Sequence, residues 1–180
     1  WVSSSEEILD IRKNTPNARS ETVAEKPSFK EAFASSRCIV PVRGFYEWQK
    51  FQSTKRPWYI YGRDESVLSL AGIFDIWTPP ASEGAYLSSI VSFSILTTEA
   101  NFILSEIHNT KLRMPVIIPR GSEEDWIRHG NDFASRFFIS SPEDYLIAHT
   151  VNPAIGRKST NANSPDSIKP YHYPEEPTLF

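Results

Sequence analysis

Arg37-Cys38-Ile39-Val40-Pro41-Val42-Arg43-Gly44-Phe45-Tyr46-Glu47-Trp48-Gln49-Lys50 is the stretch on which the reading of this chain turns. An apolar run, Cys38 to Val42, is interrupted by Pro41 and turned at Arg43-Gly44. It resumes as an aromatic segment with one carboxylate inside it. Side chains alternate along a strand, so Phe45, Glu47 and Gln49 share one face and Tyr46, Trp48 and Lys50 the other. If Phe45 points inward, Glu47 does too. A carboxylate held against aromatic rings loses hydration and its pKa rises, which suits it to moving protons near neutral pH. The same spacing also describes an edge strand with Glu47 in water, and periodicity does not separate the two.

Outward from this stretch the chain alternates short helices and strands. Upstream, Ser3 to Asp10 reads as the start of a short helix capped by Ser4 or Ser5, and Asn14 to Ser20 is turn-rich. Ser28-Phe29-Lys30-Glu31 has the form of a capping box and predicts an amphipathic helix over 28–36. Downstream, strands are expected at Trp58 to Tyr61 and Val67 to Trp77, with a bulge or bend at Gly72. Thr78 to Gly84 reads as a loop. Ser89 to Leu96 is β-rich and leads to Thr97-Thr98-Glu99, a helix start whose apolar face (Ala100, Ile103, Leu104, Ile107) runs into His108. Arg113 to Pro119 returns to strand. Ser122 opens another helix ended by Gly130, and Ser141-Pro142 reads as cap and first helical position. From Asn152 the chain is polar and Pro-rich, which suggests a surface-wrapping tail over 152–180 on a single domain.

At 180 residues, 39% hydrophobic and 13% aromatic, the chain is long and apolar enough to bury a core. A single Cys excludes an internal disulfide and a Cys-based zinc site. No apolar run approaches a membrane span and no signal peptide opens the chain, so a cytoplasmic protein without membrane contact is expected. The net charge of −3 is uneven: residues 1–60 carry 10 Lys/Arg against 7 Asp/Glu, the remainder 9 against 15. Only a local basic surface in the first third is left to bind phosphates.

The four His (108, 129, 149 and 172) have no HxxxH or HxH spacing, so no metal is expected. GxSxG, Walker and GxGxxG motifs are absent, and no cofactor is implied. Cys38 sits among apolar neighbours, as a buried inert thiol does. Polar residues at the edges of apolar segments remain: Asn17, Arg19, Glu47, Thr98, His108 and Arg113. Each has an ordinary structural reading, as turn, cap, dipole partner or surface charge. Composition and spacing therefore stop at a mixed α and β domain with a Glu/His pair in it.

Taken as whole motifs, these residues resemble a known family. Asn17-Ala18-Arg19-Ser20-Glu21-Thr22, Lys26-Pro27-Ser28-Phe29, Arg37-Cys38-Ile39-Val40-Pro41 with Gly44-Phe45-Tyr46-Glu47-Trp48, Leu70 to Trp77, Ile95 to Asn101, and Ile107-His108 with Arg113-Met114-Pro115-Val116-Ile117 occur in order. Together they are similar to the SOS-response-associated peptidase family, which senses abasic sites in single-stranded DNA and cross-links to them. The resemblance is weaker from Pro119 onward.

That resemblance implies an α+β fold: a curved, mostly antiparallel, barrel-like β-sheet with short helices outside. It implies a monomer whose partner is single-stranded DNA with an abasic site, in a bacterial cytoplasm and at the nucleoid when acting. The family's nucleophile is an N-terminal Cys. Its α-amine forms a Schiff base with the ring-opened sugar, and its thiol closes a thiazolidine. Glu47 would be the catalytic carboxylate, His108 the acid/base that helps open the sugar ring, and Asn17 the group that holds the reacting terminus. Arg19 and Arg113 would bind phosphates, while Trp48 and Thr98 would line the site. Arg43 and Trp58 are further candidates for a basic groove with aromatic platforms. Two departures stand out. Trp1 resembles the end of the family's Gly-Leu-x-Pro-x-Trp segment, so the nucleophile is not in this sequence. Asn109-Thr110-Lys111-Leu112 also separate His108 from Arg113, where many relatives have a shorter link. The other readings are a non-catalytic single-strand-binding module and, last, a peptidase.

Overall fold

A computed structural model describes residues 13–79, 89–156 and 164–174. The helix expected at Ser3 to Asp10 and most of the Thr78 to Gly84 loop lie outside those residues. Packing divides the chain into two compact units. The first takes residues from Trp1–Pro41, Ser69–Thr98 and Pro115–Ser140, and the second from Val42–Leu68, Glu99–Met114 and Ser141–Phe180. Their sheets are dominated by antiparallel strands, and their helices are short.

In the first unit, β1 (Asn17–Arg19), β2 (Arg37–Val42), β5 (Leu68–Trp77) and β6 (Ile90–Glu99) lie in the order β1-β6-β5-β2. β1 runs parallel to β6, and β5 pairs antiparallel with β6 from Gly72↔Ile95 to Trp77↔Ile90. β8 (Ile117–Ile118) adds to β5 at Ser69↔Ile118. Along β6 the buried residues are Ser94, Leu96 and Thr98, the period of two that a half-buried strand requires. Helices α1 (Lys30–Ser35), α3 (Glu123–Arg128) and α4 (Asn131–Ala134) supply Phe33, Trp126 and Ala134 to a core with Ala18, Ile73, Leu96 and Val116. Trp126 is completely buried, and its Nε1–H donates to the Cys38 carbonyl at 2.9 Å.

In the second unit, β3 (Gly44–Phe51), β4 (Thr54–Gly62) and β9 (Leu146–Thr150) form an antiparallel sheet in that order. β3 and β4 are a hairpin, paired from Gly44↔Tyr61 to Phe51↔Thr54. α2 (Phe102–Ile107) buries Leu104 and Ile107, and β7 (Arg113–Pro115) follows it. Residues 164–174 lie along β9: Tyr171 N–H donates to Thr150 O at 2.8 Å, and Thr150 Oγ1 donates to Tyr171 O at 2.6 Å. No helix among the described residues is long and apolar enough to cross a membrane.

Several local expectations are corrected. Ser28 does not cap α1, because the turn before it already satisfies the first donors: Phe29 and Lys30 N–H both reach Lys26 O at 2.9 Å. Thr97-Thr98-Glu99 is not a helix start. The β-branched Thr97 and Thr98 extend β6 with Glu99 at its end, and Asn101 is the cap, its side chain accepting from Leu104 N–H at 3.0 Å. Gly72 stands where the pairing of β5 with β6 begins, opposite Ile95. It is glycine because an added Cβ would stand 2.8 Å from Cys38 Sγ and 3.2 Å from Val40 Cγ2. α3 ends at Arg128 with His129 as its cap, and Gly130 follows with φ −65° as the residue before α4. Ser141 to Asp144 forms a turn into β9 rather than a helix, and its polar groups go to the start of α2. Asn101 Nδ2 donates to Ser141 O at 3.2 Å, and Phe102 N–H to Glu143 Oε1 at 2.8 Å.

Gly44 is the least replaceable glycine of the β3–β4 hairpin. A Cβ there would fall 2.5 Å from both the Ile60 carbonyl oxygen and the Tyr59 ring, and the carbonyl belongs to the paired strand. Gly44→Ala is expected to destabilise by roughly 1–3 kcal/mol, as overpacking does. Urea denaturation reads the loss as a lower midpoint at unchanged slope.

Candidate functional site

Glu47 stands in the middle of β3, directly opposite Trp58. Phe45 and Gln49 flank it on the same face, and Gln49 Oε1 accepts from Trp58 Nε1–H at 3.1 Å, which holds the indole beside the carboxylate. The alternation expected of this strand is present: Trp48 is 41% exposed, while the Glu47 side chain keeps 24% of its surface in water. Burial pushes the Glu47 pKa above its ordinary value. The charges of His108 and Lys111 and a hydrogen bond from the Trp48 backbone oppose the shift without cancelling it.

His108 arrives from α2. Asn101 caps that helix at its start, and the Glu143 carboxylate meets the free N–H groups of Phe102 and Ile103. His108 is the C-terminal cap, its own N–H returning to Leu104 O at 2.7 Å. The longer link then folds back on itself. Lys111 and Leu112 N–H both reach His108 O, and Leu112 takes a φ of +52° to complete the turn. This brings the Arg113 carbonyl to 3.0 Å from His108 Nδ1. A carbonyl only accepts, so Nδ1 carries the hydrogen and Nε2 is left to take the second proton. Glu47 Oε1 lies 3.8 Å from the same Nδ1.

The pair opens on a groove of about 350 Å³ lined by Glu47, Trp48, His108, Thr110 and Lys111, with the β3–β4 hairpin end on its other side. A half-buried carboxyl beside an imidazole of fixed tautomer, both reachable from solvent, can accept a proton and return one. Among the described residues, no group of three or more His, Cys, Asp or Glu is placed to hold a metal ion.

Of the residues expected from sequence, Glu47, Trp48 and His108 meet at this groove, while Arg113 is outside its lining and holds His108 Nδ1 through its carbonyl. Arg43 is exposed just before β3. Asn17, Arg19 and Thr98 belong to the first unit. There β1 presents Asn17 and Arg19 to solvent on either side of the buried Ala18. Thr98 is buried, with Oγ1 donating to Phe138 O at 3.3 Å. Asn109 was not singled out. Its side chain accepts from Lys50 N–H and donates to Lys50 O, both at 3.0 Å, and so ties the His108 link to the free edge of β3. An amide directly after the histidine was the available signal.

Comparison with known proteins places this geometry among relatives. The sequence profile described as "SOS response associated peptidase (SRAP)" matches residues 1–158. The abasic site processing protein YoqW of Bacillus subtilis is 32% identical over 157 residues, 85% of this chain and 66% of that protein. The abasic site processing protein HMCES of Rattus norvegicus is 33% identical over 190 residues, covering 89% of this chain and 51% of its own length. The chain thus spans between about half and two thirds of these curated relatives. A solved structure from Bacteroides thetaiotaomicron matches with a TM-score of 0.87 at 36% identity, over 96% of this chain and 72% of that one. Another from Bordetella bronchiseptica gives 0.73 at 28% identity, over 84% and 74%.

Proposed function

Because this chain belongs to the SOS response associated peptidase (SRAP) family, we propose that the protein it comes from senses abasic sites in single-stranded DNA and cross-links to them. The supporting observation is the meeting of Glu47 and His108, 3.8 Å apart, at the open groove. The ring-opened sugar of an abasic site is an aldehyde. An α-amine adds to it, the carbinolamine loses water to give a Schiff base, and a thiol adding across C=N closes a thiazolidine; one water leaves overall. The amine must be unprotonated when it attacks, and the departing hydroxyl needs a proton. Glu47, held above its ordinary pKa by burial, takes the first proton and supplies the second. His108 Nε2 serves ring opening at the sugar oxygen. The roles of Asn17, Arg19, Arg113 and Thr98 are carried on the family resemblance alone, and Trp48 adds an exposed ring beside Glu47 for base stacking.

The test uses the protein expressed from its own initiator Met, incubated with a single-stranded oligonucleotide bearing one abasic site and run on a denaturing gel. The expected result is a heat-stable shifted band, lost when the residue after Met is changed from Cys to Ala. Absence of the band in the unaltered protein overturns cross-linking and leaves a single-strand-binding relative.

A further inference from the structure

The groove beside Glu47 gathers more positive charge than its effect on the Glu47 carboxyl accounts for. We propose that Lys50, Lys55 and Lys111 form a phosphate lane that holds the DNA backbone along the β3–β4 hairpin, next to the abasic nucleotide. This rests on the reading above for the identity of the strand.

Lys50 and Lys55 are directly paired across the hairpin, so their side chains leave the same face. Lys111 comes from the separate link after His108, and all three line the one groove. Asn109, through its two bonds to the Lys50 backbone, fixes the spacing between the hairpin and that link. Gln52, Ser53, Thr54 and Thr110 add neutral hydrogen-bonding groups, and Glu47 is the one carboxylate among the lining residues. In a chain of net charge −3, three ammonium groups gathered on one groove are held against mutual repulsion. A bound polyanion relieves that repulsion. Two residues before Lys50, on the same strand face, Trp48 offers its exposed ring to a base. Phosphate contacts from the lysines and stacking on Trp48 together suit a single strand, whose bases are free to stack. The lane also gives the long His108–Arg113 link a purpose: it carries Lys111 to the groove.

The experiment measures binding of an undamaged, fluorescently labelled single-stranded oligonucleotide to the full-length protein at several salt concentrations. The logarithmic salt slope for single strands is about −0.7 per neutralised phosphate. Changing all three lysines to Gln is expected to make the slope shallower by about 2, and Lys55→Gln alone by about 0.7. Lys13→Gln with Lys26→Gln and Lys30→Gln, all exposed in the other unit, serves as the charge-matched control and leaves the slope unchanged. A triple variant with the wild-type slope, or a control variant that loses as much, overturns the lane. The abasic-site gel on wild-type protein reads the underlying reaction separately. Loss of that band with the slope change intact removes the cross-linking reading and keeps the lane as a single-strand site.

Discussion

Glu47→Gln is expected to slow adduct formation on an abasic-site oligonucleotide by roughly 10²–10⁴-fold, the range for removing a positioned acid/base group. Gln keeps the size and hydrogen-bonding reach of Glu but neither takes nor gives the proton. The effect therefore falls on the rate and not on DNA affinity. Burial sets Glu47 above its ordinary 4.5, so the acid limb of the rate profile of the wild-type protein has its midpoint above 4.5. The charges of Lys111 and His108 pull that pKa down, so Lys111→Ala and His108→Ala move the acid limb further toward neutrality. Stability gives an independent reading. With the folded pKa above the unfolded one, the native state holds a proton that the unfolded chain has lost. Stability from this group is present below the unfolded pKa and falls as pH rises through the folded one. Thermal melts of Glu47→Gln should thus be no lower than wild type at neutral pH, and the gap should close in acid. A wild-type rate in Glu47→Gln, or a large loss of stability at neutral pH, would make Glu47 a structural residue.

Arg37→Ala is expected to cost roughly 3–5 kcal/mol, from about 1–3 kcal/mol for each buried acceptor left unmet, part of it recovered by water. Arg37 is 8% exposed. Its Nε–H donates to Trp126 O at 2.7 Å, and Nη1 donates to Phe33 O at 2.7 Å and Asn131 Oδ1 at 2.8 Å. Nη2 donates to His129 O. Phe33 O and Trp126 O belong to the last turns of α1 and α3, where helical carbonyls lack partners. His129 O follows at the α3 cap, so one guanidinium satisfies two helix ends and favours both dipoles. Its Cζ also lies 5.6 and 5.7 Å from the Phe33 and Trp126 ring centres. Burial lowers the Arg37 pKa from its ordinary value, but the group remains a cation at any working pH. Against a typical stability of about 5–15 kcal/mol, this loss moves a urea midpoint by about 1–3 M. Arg37→Lys should recover little of it, because one ammonium cannot reach four acceptors in a plane. A midpoint within error of wild type for Arg37→Ala would show that water or a shifted side chain replaces the guanidinium.

Alternation along Phe45 to Lys50 was enough to predict that Glu47 turns away from the Trp48 face, because a period of two is a local property of extended chain. The β-strands at Cys38, Phe45, Trp58 and Val67 were legible for the same reason. Helix starts were less so. Ser28 and Thr98 carry the right chemistry for caps, yet a preceding turn supplied a carbonyl acceptor for the first N–H groups of α1 and β-branching drew Thr98 into β6. Arg37 read only as a motif residue, since four acceptors contributed by residues 33 to 131 have no signature near position 37. Lys50, Lys55 and Lys111 are scattered charges in sequence, and only the hairpin register and the folded link bring them to one groove. The residues at this site were recognisable as types; their shared geometry was long-range.

The most direct measurement is to digest the adduct formed between the full-length protein and an abasic-site oligonucleotide, and to map the modified peptide by mass spectrometry. The expected result is a single DNA remnant on the N-terminal Cys, heat-stable as a thiazolidine, with the peptides containing Glu47, His108 and Lys111 unmodified. A remnant on Lys50, Lys55 or Lys111, or none on any peptide, would contradict cross-linking through an N-terminal Cys with Glu47 and His108 as its proton carriers.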